Sequence, residues 1–259
     1  MKTIKITLPK ELKRITIVPL ADLHIGDPHH DAAGLKRTIE FIKKTKDAYC
    51  ICNGDLMNTA LKTSVSDVYS EVLSPMEQLI AVRDILLPIK DKILCITSGN
   101  HEARVYKTAG IDSSMLLARE LGIENRYAAE SAVIFLKLGQ KEKEHKNQQM
   151  QYSIFVNHGY GGGRKIGGKL NSLEEVTGVI DADVYIHSHT HLPAIFKQNF
   201  YRTNLPHQSI EEVEKLFVNT NAFLNYGGYG EALEFRPASR SVPMIILSGT
   251  ERALGGTIF

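Results

Sequence analysis

Five apolar runs in this chain close on Asp, Asn or His, and that recurrence constrains the fold more than any other feature. Residues 15–20 run into Asp22 and His24, residues 48–52 into Asn53-Gly54-Asp55, and residues 92–97 into Ser98-Gly99-Asn100-His101-Glu102. Residues 152–156 run into Asn157-His158-Gly159, and residues 183–186 into His187-Ser188-His189-Thr190-His191. Short apolar runs bounded by turn residues read as buried strands. A helical pattern over 33–44 separates the first two. Ahead of the third, Ser74-Pro75-Met76-Glu77 supplies an N-cap Ser, Pro at the first helical position and Glu in capping-box register. The alternation predicts an α/β architecture whose first three strands are one βαβ unit apart. Strand C-termini in such sheets line up along one edge, so clusters far apart in sequence converge there.

The rest of the chain is read more coarsely. A helix is expected from about Asp112 to Gly122, and strands at 132–138 and 152–156 flank the polar stretch 139–151 as a hairpin, with His145 solvated inside it. A helix at 172–180 and strands at 194–200, 216–219 and 242–247 follow. With no repeat and no Pro- or Ser-rich linker, residues 1–259 are expected to form a single domain. No apolar stretch is long enough for a membrane span. The N-terminus alternates polar and apolar like a strand, without a secretory pattern, so the expected location is cytoplasmic. A formal charge of +2 argues against a long nucleic-acid track. Cys50, Cys52 and Cys95 lie inside strand runs, without zinc spacing, and are expected to be buried and reduced.

A lone Asp after a strand is ordinarily a turn residue, and a lone His a satisfied polar group. Five such endings in one topological place point instead to a shared site. Carboxylates with imidazoles suit Mn, Fe or Zn. Two such ions about 3.5–4 Å apart can clamp the attacking and leaving oxygens of a phosphoryl group.

The ordered blocks resemble the calcineurin-like metallophosphoesterase superfamily, whose pattern reads D-x-H, G-D, G-N-H-[DE], H and G-H-x-H. All five are present between Asp22 and His191, with Ser188 where the family has Gly. Two H-x-H frames overlap, and the resemblance favours His189 with His191 because Leu192-Pro193 follows; His187 is then a strand residue or one behind the ligands. The resemblance implies a four-layer α-β-β-α sandwich of two mixed sheets, with the metal site at strand C-terminal ends. It implies that Asp22, His24 and His191 hold one divalent ion, that Asn100, His158 and His189 hold a second, and that Asp55 bridges them. Mn²⁺ is the expected ion, with Fe, Zn or Mg as alternatives. His101 would take the place of the family's catalytic imidazole, donating a proton to the leaving oxygen or stabilising the phosphoryl charge. Three positions after the bridging Asp, many members carry an Asp or His that supports this imidazole; here it is Asn58, expected to orient His101 without adding charge.

Arg104, just past the catalytic block, and the glycine-rich segment after His158, with Arg164, Lys165 and Lys169, are candidate phosphate contacts. His29 and His30 read as loop residues, while Tyr226 and Tyr229 in a glycine-rich turn offer faces for a base. The Gly-Asn-His-Glu block resembles the DNA-repair nuclease branch, and the chain as a whole resembles small stand-alone phosphoesterases of bacteria and their phages. The expected activity is therefore phosphodiester hydrolysis on DNA or RNA. The alternative is cleavage of a small nucleotide or phosphomonoester. A non-catalytic scaffold fits least, because His101 and the whole ligand set are retained. No membrane partner is expected.

Overall fold

A computed structural model of the chain describes residues 1–62, 64, 68–142 and 148–259; His145 lies outside the described residues. The first half comprises β1 (Lys2–Thr7), β2 (Arg14–Leu20), α1 (Ala32–Lys44), β3 (Ala48–Asn53), α2 (Pro75–Leu86), β4 (Ile93–Thr97), α3 (Asn100–Ala109) and α4 (Ser113–Glu120). There follow β5 (Tyr127–Ala128), β6 (Ser131–Leu138), β7 (Met150–Asn157), α5 (Ile166–Glu175) and β8 (Val184–His187). The chain closes with β9 (Ala194–Asn204), β10 (Ser209–Asn219), α6 (Gly228–Ala232), β11 (Pro243–Ser248) and β12 (Leu254–Ile258).

Period-two burial builds the layers. On β2, Ile15 and Ile17 face the second sheet, whereas Val18 and Leu20 face α1 and its neighbours. On β3, Ile51 points between the sheets and Cys50 and Cys52 point to the helices. One sheet has the order β12-β11-β2-β3-β4-β5, parallel from β2 to β5 and antiparallel at β11. The other has the order β1-β6-β7-β8-β10-β9, with parallel and antiparallel pairs mixed. The sheets share a core of Ile15, Ile17, Ile51, Leu94, Ile134, Ile154, Val184 and Leu216. Outside them, α1, α2 and α4 cover the first sheet through Leu35, Ile39, Leu79, Val82 and Leu117. Leu173 of α5 covers Phe155, Tyr185 and Phe217 of the second. This is the expected α-β-β-α sandwich. All three cysteines are free and buried.

Local chemistry sets the helix starts. Asp31 and Asp112 cap α1 and α4 by accepting from Gly34 N and Met115 N, each at 2.9 Å. Ser74 and Glu77 form the expected capping box on α2. Two helices differ from expectation. Gly167 and Gly168 argue against helix on propensity, yet α5 begins at Ile166 rather than 172, because Leu173 and Val176 are buried against the second sheet. Residues 100–109, read only as a motif, form α3, stopped by Gly110 at φ +67°. Among the described residues, no helix is long and apolar enough to cross a membrane.

Candidate metal centre

The five strand endings meet at one edge of the sandwich. Backbone bonds tie the loops after β2 and β3 together: Asp22 N donates to Gly54 O (3.1 Å) and His24 N to Asp55 O (3.0 Å). Asp22, His24, Asp55, His189 and His191 all take left-handed backbone, with φ between +48° and +67°. Asp and His tolerate this region better than most residues, and outliers of this kind gather at functional sites. Gly54, at φ +79°, is required for a different reason: a Cβ there would lie 2.6 Å from both Gly99 N and His158 Nδ1.

The side chains converge around two centres. Asp22, His24 and His191 place one ligand atom each within 4.8 Å of one another, as do Asp55, His158 and His189. Asp22 Oδ1 lies 3.2 Å from His191 Nε2, and Asp55 Oδ2 lies 3.1 Å from His158 Nε2. Asn100 Oδ1 joins the second group, 3.2 Å from His158 Nε2 and 2.8 Å from His189 Nδ1. Asp55 also groups with His24 and His101, which places it between the two centres. His187 belongs to neither group.

Three imidazoles are aimed from behind. His158 Nδ1 donates to Asn53 O at 2.7 Å, His101 Nδ1 to Asn58 O at 2.6 Å, and His24 Nδ1 to Asn58 Oδ1 at 3.0 Å. Since a carbonyl oxygen can only accept, each ring carries its proton on Nδ1 and turns Nε2 toward the cluster, the tautomer a metal ligand needs. Asn58 thus meets His101 through its main-chain carbonyl, while its side chain meets His24. Asp22 Oδ2 accepts from His189 N at 3.1 Å, while Asp22 Oδ1 is buried with no hydrogen-bond partner among the described residues. An orphaned carboxylate oxygen facing imidazole nitrogens fits a divalent cation.

Burial opposes ionisation of Asp55, but attraction to His158 and His101 outweighs it and holds the carboxyl well below its ordinary value. Burial lowers His158 too, yet Asp55 and then Asp22 hold it up to about 10. The carboxylates thus demand positive charge, and a bound cation meets the same demand while displacing that proton. His101 is pushed down to about 3 by burial and by His24 beside it. His187 falls to about 4, from burial and then His158.

Of the candidate phosphate contacts, Arg104 has a buried Nη1 with no partner among the described residues. Lys169 Nζ reaches Thr190 O at 3.0 Å, on the loop between His189 and His191. Arg164 instead donates to Leu233 O at 3.0 Å, with its guanidinium 5.7 Å from the Phe235 ring centroid. Lys165 is exposed at the N-cap of α5. His30 Nδ1 donates to Leu23 O and His29 N to Asp27 Oδ1, as loop residues do. Tyr226 is half-exposed.

Sequence reasoning missed Glu102 and Asn53 as supports. Glu102, buried, accepts from Asp55 N, Met57 N and Gly99 N at 2.9–3.0 Å, pinning the Asp55 loop to the start of α3; burial and Asp55 push its carboxyl up to about 7. Asn53 Nδ2 donates to Asn157 O (2.9 Å) and Ser188 Oγ (2.7 Å), joining the sheets. That bond gives Ser188 a use in the position where the family has Gly. The signal for Glu102 was its N3 register after Gly99; for Asn53 there was none in the sequence.

The family model described as calcineurin-like phosphoesterase matches residues 23–193. No curated protein matches the chain. Among solved structures, the chain is similar to a predicted phosphoesterase from Streptococcus pneumoniae, at 12% identity and TM-score 0.36, covering 95% of this chain and 98% of that one. It is also similar to Chaetomium thermophilum Vps29, at 12% identity, TM-score 0.45 and 95% coverage of each chain. A metallophosphoesterase from Sphaerobacter thermophilus gives 12% identity, TM-score 0.42, and 95% and 88% coverage.

Proposed function

The chain belongs to the calcineurin-like phosphoesterase family, a metal-dependent phosphoester hydrolase by that membership, and from this premise we propose that it is a two-metal phosphodiesterase acting on nucleic acid. The observation that carries the reading is the pair of adjoining ligand groups sharing the neighbourhood of Asp55. Asp22, His24 and His191 would hold one ion, Asn100, His158 and His189 the other, and Asp55 both. A pair of divalent ions held there, with Mn²⁺ as the expected metal, would supply an activated water as nucleophile and offset phosphoryl charge.

The chain's own groups do the rest. His101 keeps its Nδ1 proton on Asn58 O and presents Nε2 beside Asp55. As the imidazolium, with a second proton on Nε2 that the negative charge of a bound phosphate would favour, it would give that proton to the leaving oxygen. Arg104, with its unpartnered Nη1, takes a phosphate oxygen, and Lys169 stands beside the His189–His191 loop for the neighbouring phosphate. Arg164 and Lys165 are exposed on the segment that follows His158. Half-buried His189 and His191 leave the edge open to a strand end.

The test is a Mn²⁺-supplemented panel of bis-p-nitrophenyl phosphate, p-nitrophenyl phosphate, cyclic nucleotides, single-stranded DNA, duplex DNA and RNA. Turnover should be highest on the diesters and extend to a polynucleotide. Turnover confined to monoesters or free nucleotides would replace this substrate with the small-molecule alternative.

A further inference from the structure

We propose that Glu71 is a positioning residue for this site: its carboxylate, acting through the Asn58 amide, orients His24 and strengthens it as a metal ligand. The inference rests on His24 being a ligand. Position 58 is neutral here, and the structure brings a carboxylate to it from elsewhere in the chain. Asn58 Nδ2 donates to Glu71 Oε1 at 2.5 Å, and Asn58 Oδ1 accepts from His24 Nδ1 at 3.0 Å. An ionised carboxylate only accepts, so the amide nitrogen must face Glu71 and the amide oxygen must face His24. That choice puts the His24 proton on Nδ1 and frees Nε2 for the cluster. The same amide nitrogen lies 3.5 Å from Asp27 Oδ2, a longer contact of the same sign.

A second arm leaves Glu71 toward His101. Gln78 Nε2 donates to Glu71 Oε2, Gln78 Oε1 accepts from Thr59 N at 2.8 Å, and Thr59 Oγ1 donates to His101 O at 2.8 Å. Gln78 and Thr59 are buried, so each of these bonds is costly to lose. The segment ahead of α2 is held over the site by Val72 N donating to Gly26 O at 2.9 Å. Gly26, at φ +109°, admits it; a Cβ there would overlap Gln78 and Glu71. The other centre is built differently, because His158 is backed by the neutral carbonyl of Asn53. Carboxylate partners raise the basicity of ligating imidazoles, and losing them typically costs about 10–100-fold in metal affinity.

The experiment titrates Mn²⁺ into metal-free protein by calorimetry, with thermal melts alongside. Glu71→Gln should weaken one of two sites by about 10–100-fold and leave the other unchanged. Asn58→Asp combined with Glu71→Gln should recover the affinity, since the carboxylate then meets His24 directly. An unchanged titration for Glu71→Gln overturns the proposal, as does a weakened one that the double variant leaves weak. His24→Ala separates the two levels: if it keeps both sites intact, the ligand reading itself fails; if it loses a site that Glu71→Gln keeps, only the role of Glu71 fails.

Discussion

Buried charge is handled in opposite ways at two places in this molecule. On β10, Lys215 is only 5% exposed, yet it is ion-paired to Asp181, donates to Tyr185 Oη at 3.1 Å and lies 4.8 Å from the Phe200 ring centroid. Its needs are met from within the chain. At the strand edge, Asp22 and Asp55 are at least as deeply buried, but they face imidazoles rather than fixed cations, and Asp22 Oδ1 has no hydrogen-bond partner among the described residues. A buried charge left unsatisfied costs stability, so a fold retains one where a ligand completes it. The satisfied charge is part of the packing, whereas the unsatisfied group is the site.

That contrast breaks first at Asp55. Asp55→Ala should remove a carboxylate shared by both ions, so metal content by elemental analysis and phosphodiester turnover should both collapse, and chelation of the wild-type protein should reproduce the loss of turnover. An Asp55→Ala protein that keeps two ions would show that the centres do not share it. His101→Ala comes next. It should keep both ions and the fold while turnover falls about 10²–10⁴-fold. The loss should be smaller on p-nitrophenyl esters, whose leaving group needs no proton, than on a nucleotide diester; equal losses would assign His101 a purely electrostatic role.

The H-x-H frame gives a graded test. His189→Ala and His191→Ala should lower metal content, whereas His187→Ala, buried outside both ligand groups, should leave it nearly intact; the reverse ranking would move the frame. The smallest effect belongs to the satisfied charge. Asp181→Asn should cost about 1 kcal/mol, since Asp181 is exposed and partly screened, or about 2–4 °C in Tm, with metal content unchanged. Burial opposes ionisation of Asp181, but the Lys215 hydrogen bond lowers its carboxyl below the ordinary 3.8. Its contribution is therefore present above pH 3.8 and fades as pH falls through the lower folded value, so the difference between wild type and variant should shrink in acid. A Tm difference that grows in acid would show that the pair is not stabilising.

Which residues gather at the site was legible because each follows a strand, and strand ends in an α/β sheet share an edge. The choice of Asp22, His24, Asp55, Asn100, His158, His189 and His191 as ligands rested in addition on the resemblance to the calcineurin-like pattern, which also set His189 and His191 ahead of His187. The support behind them was not legible. Glu102 looked like one more polar residue of its block, yet it holds three amides of the Asp55 and Gly99 loops. Arg164 and Lys165 shared a glycine-rich segment with Lys169, but only Lys169 comes to lie against Thr190, because α5 starts early and turns the side chains one turn along it toward the site.

The sequence by itself determined an α/β fold, through apolar runs alternating with helical patterns, and the convergence of five strand-end clusters on one edge; the four-layer sandwich and the ligand set were what its family resemblance implied. Only the tertiary structure decided the tautomers, the orphaned oxygen of Asp22 and the carboxylate behind His24. Each depends on which atoms meet across loops far apart in sequence: Asn58 reaches His24 across 34 positions and Asn53 reaches Ser188 across 135. Hydrogen-bond geometry of that kind is set by packing to within fractions of an ångström, and no periodicity in the chain encodes it.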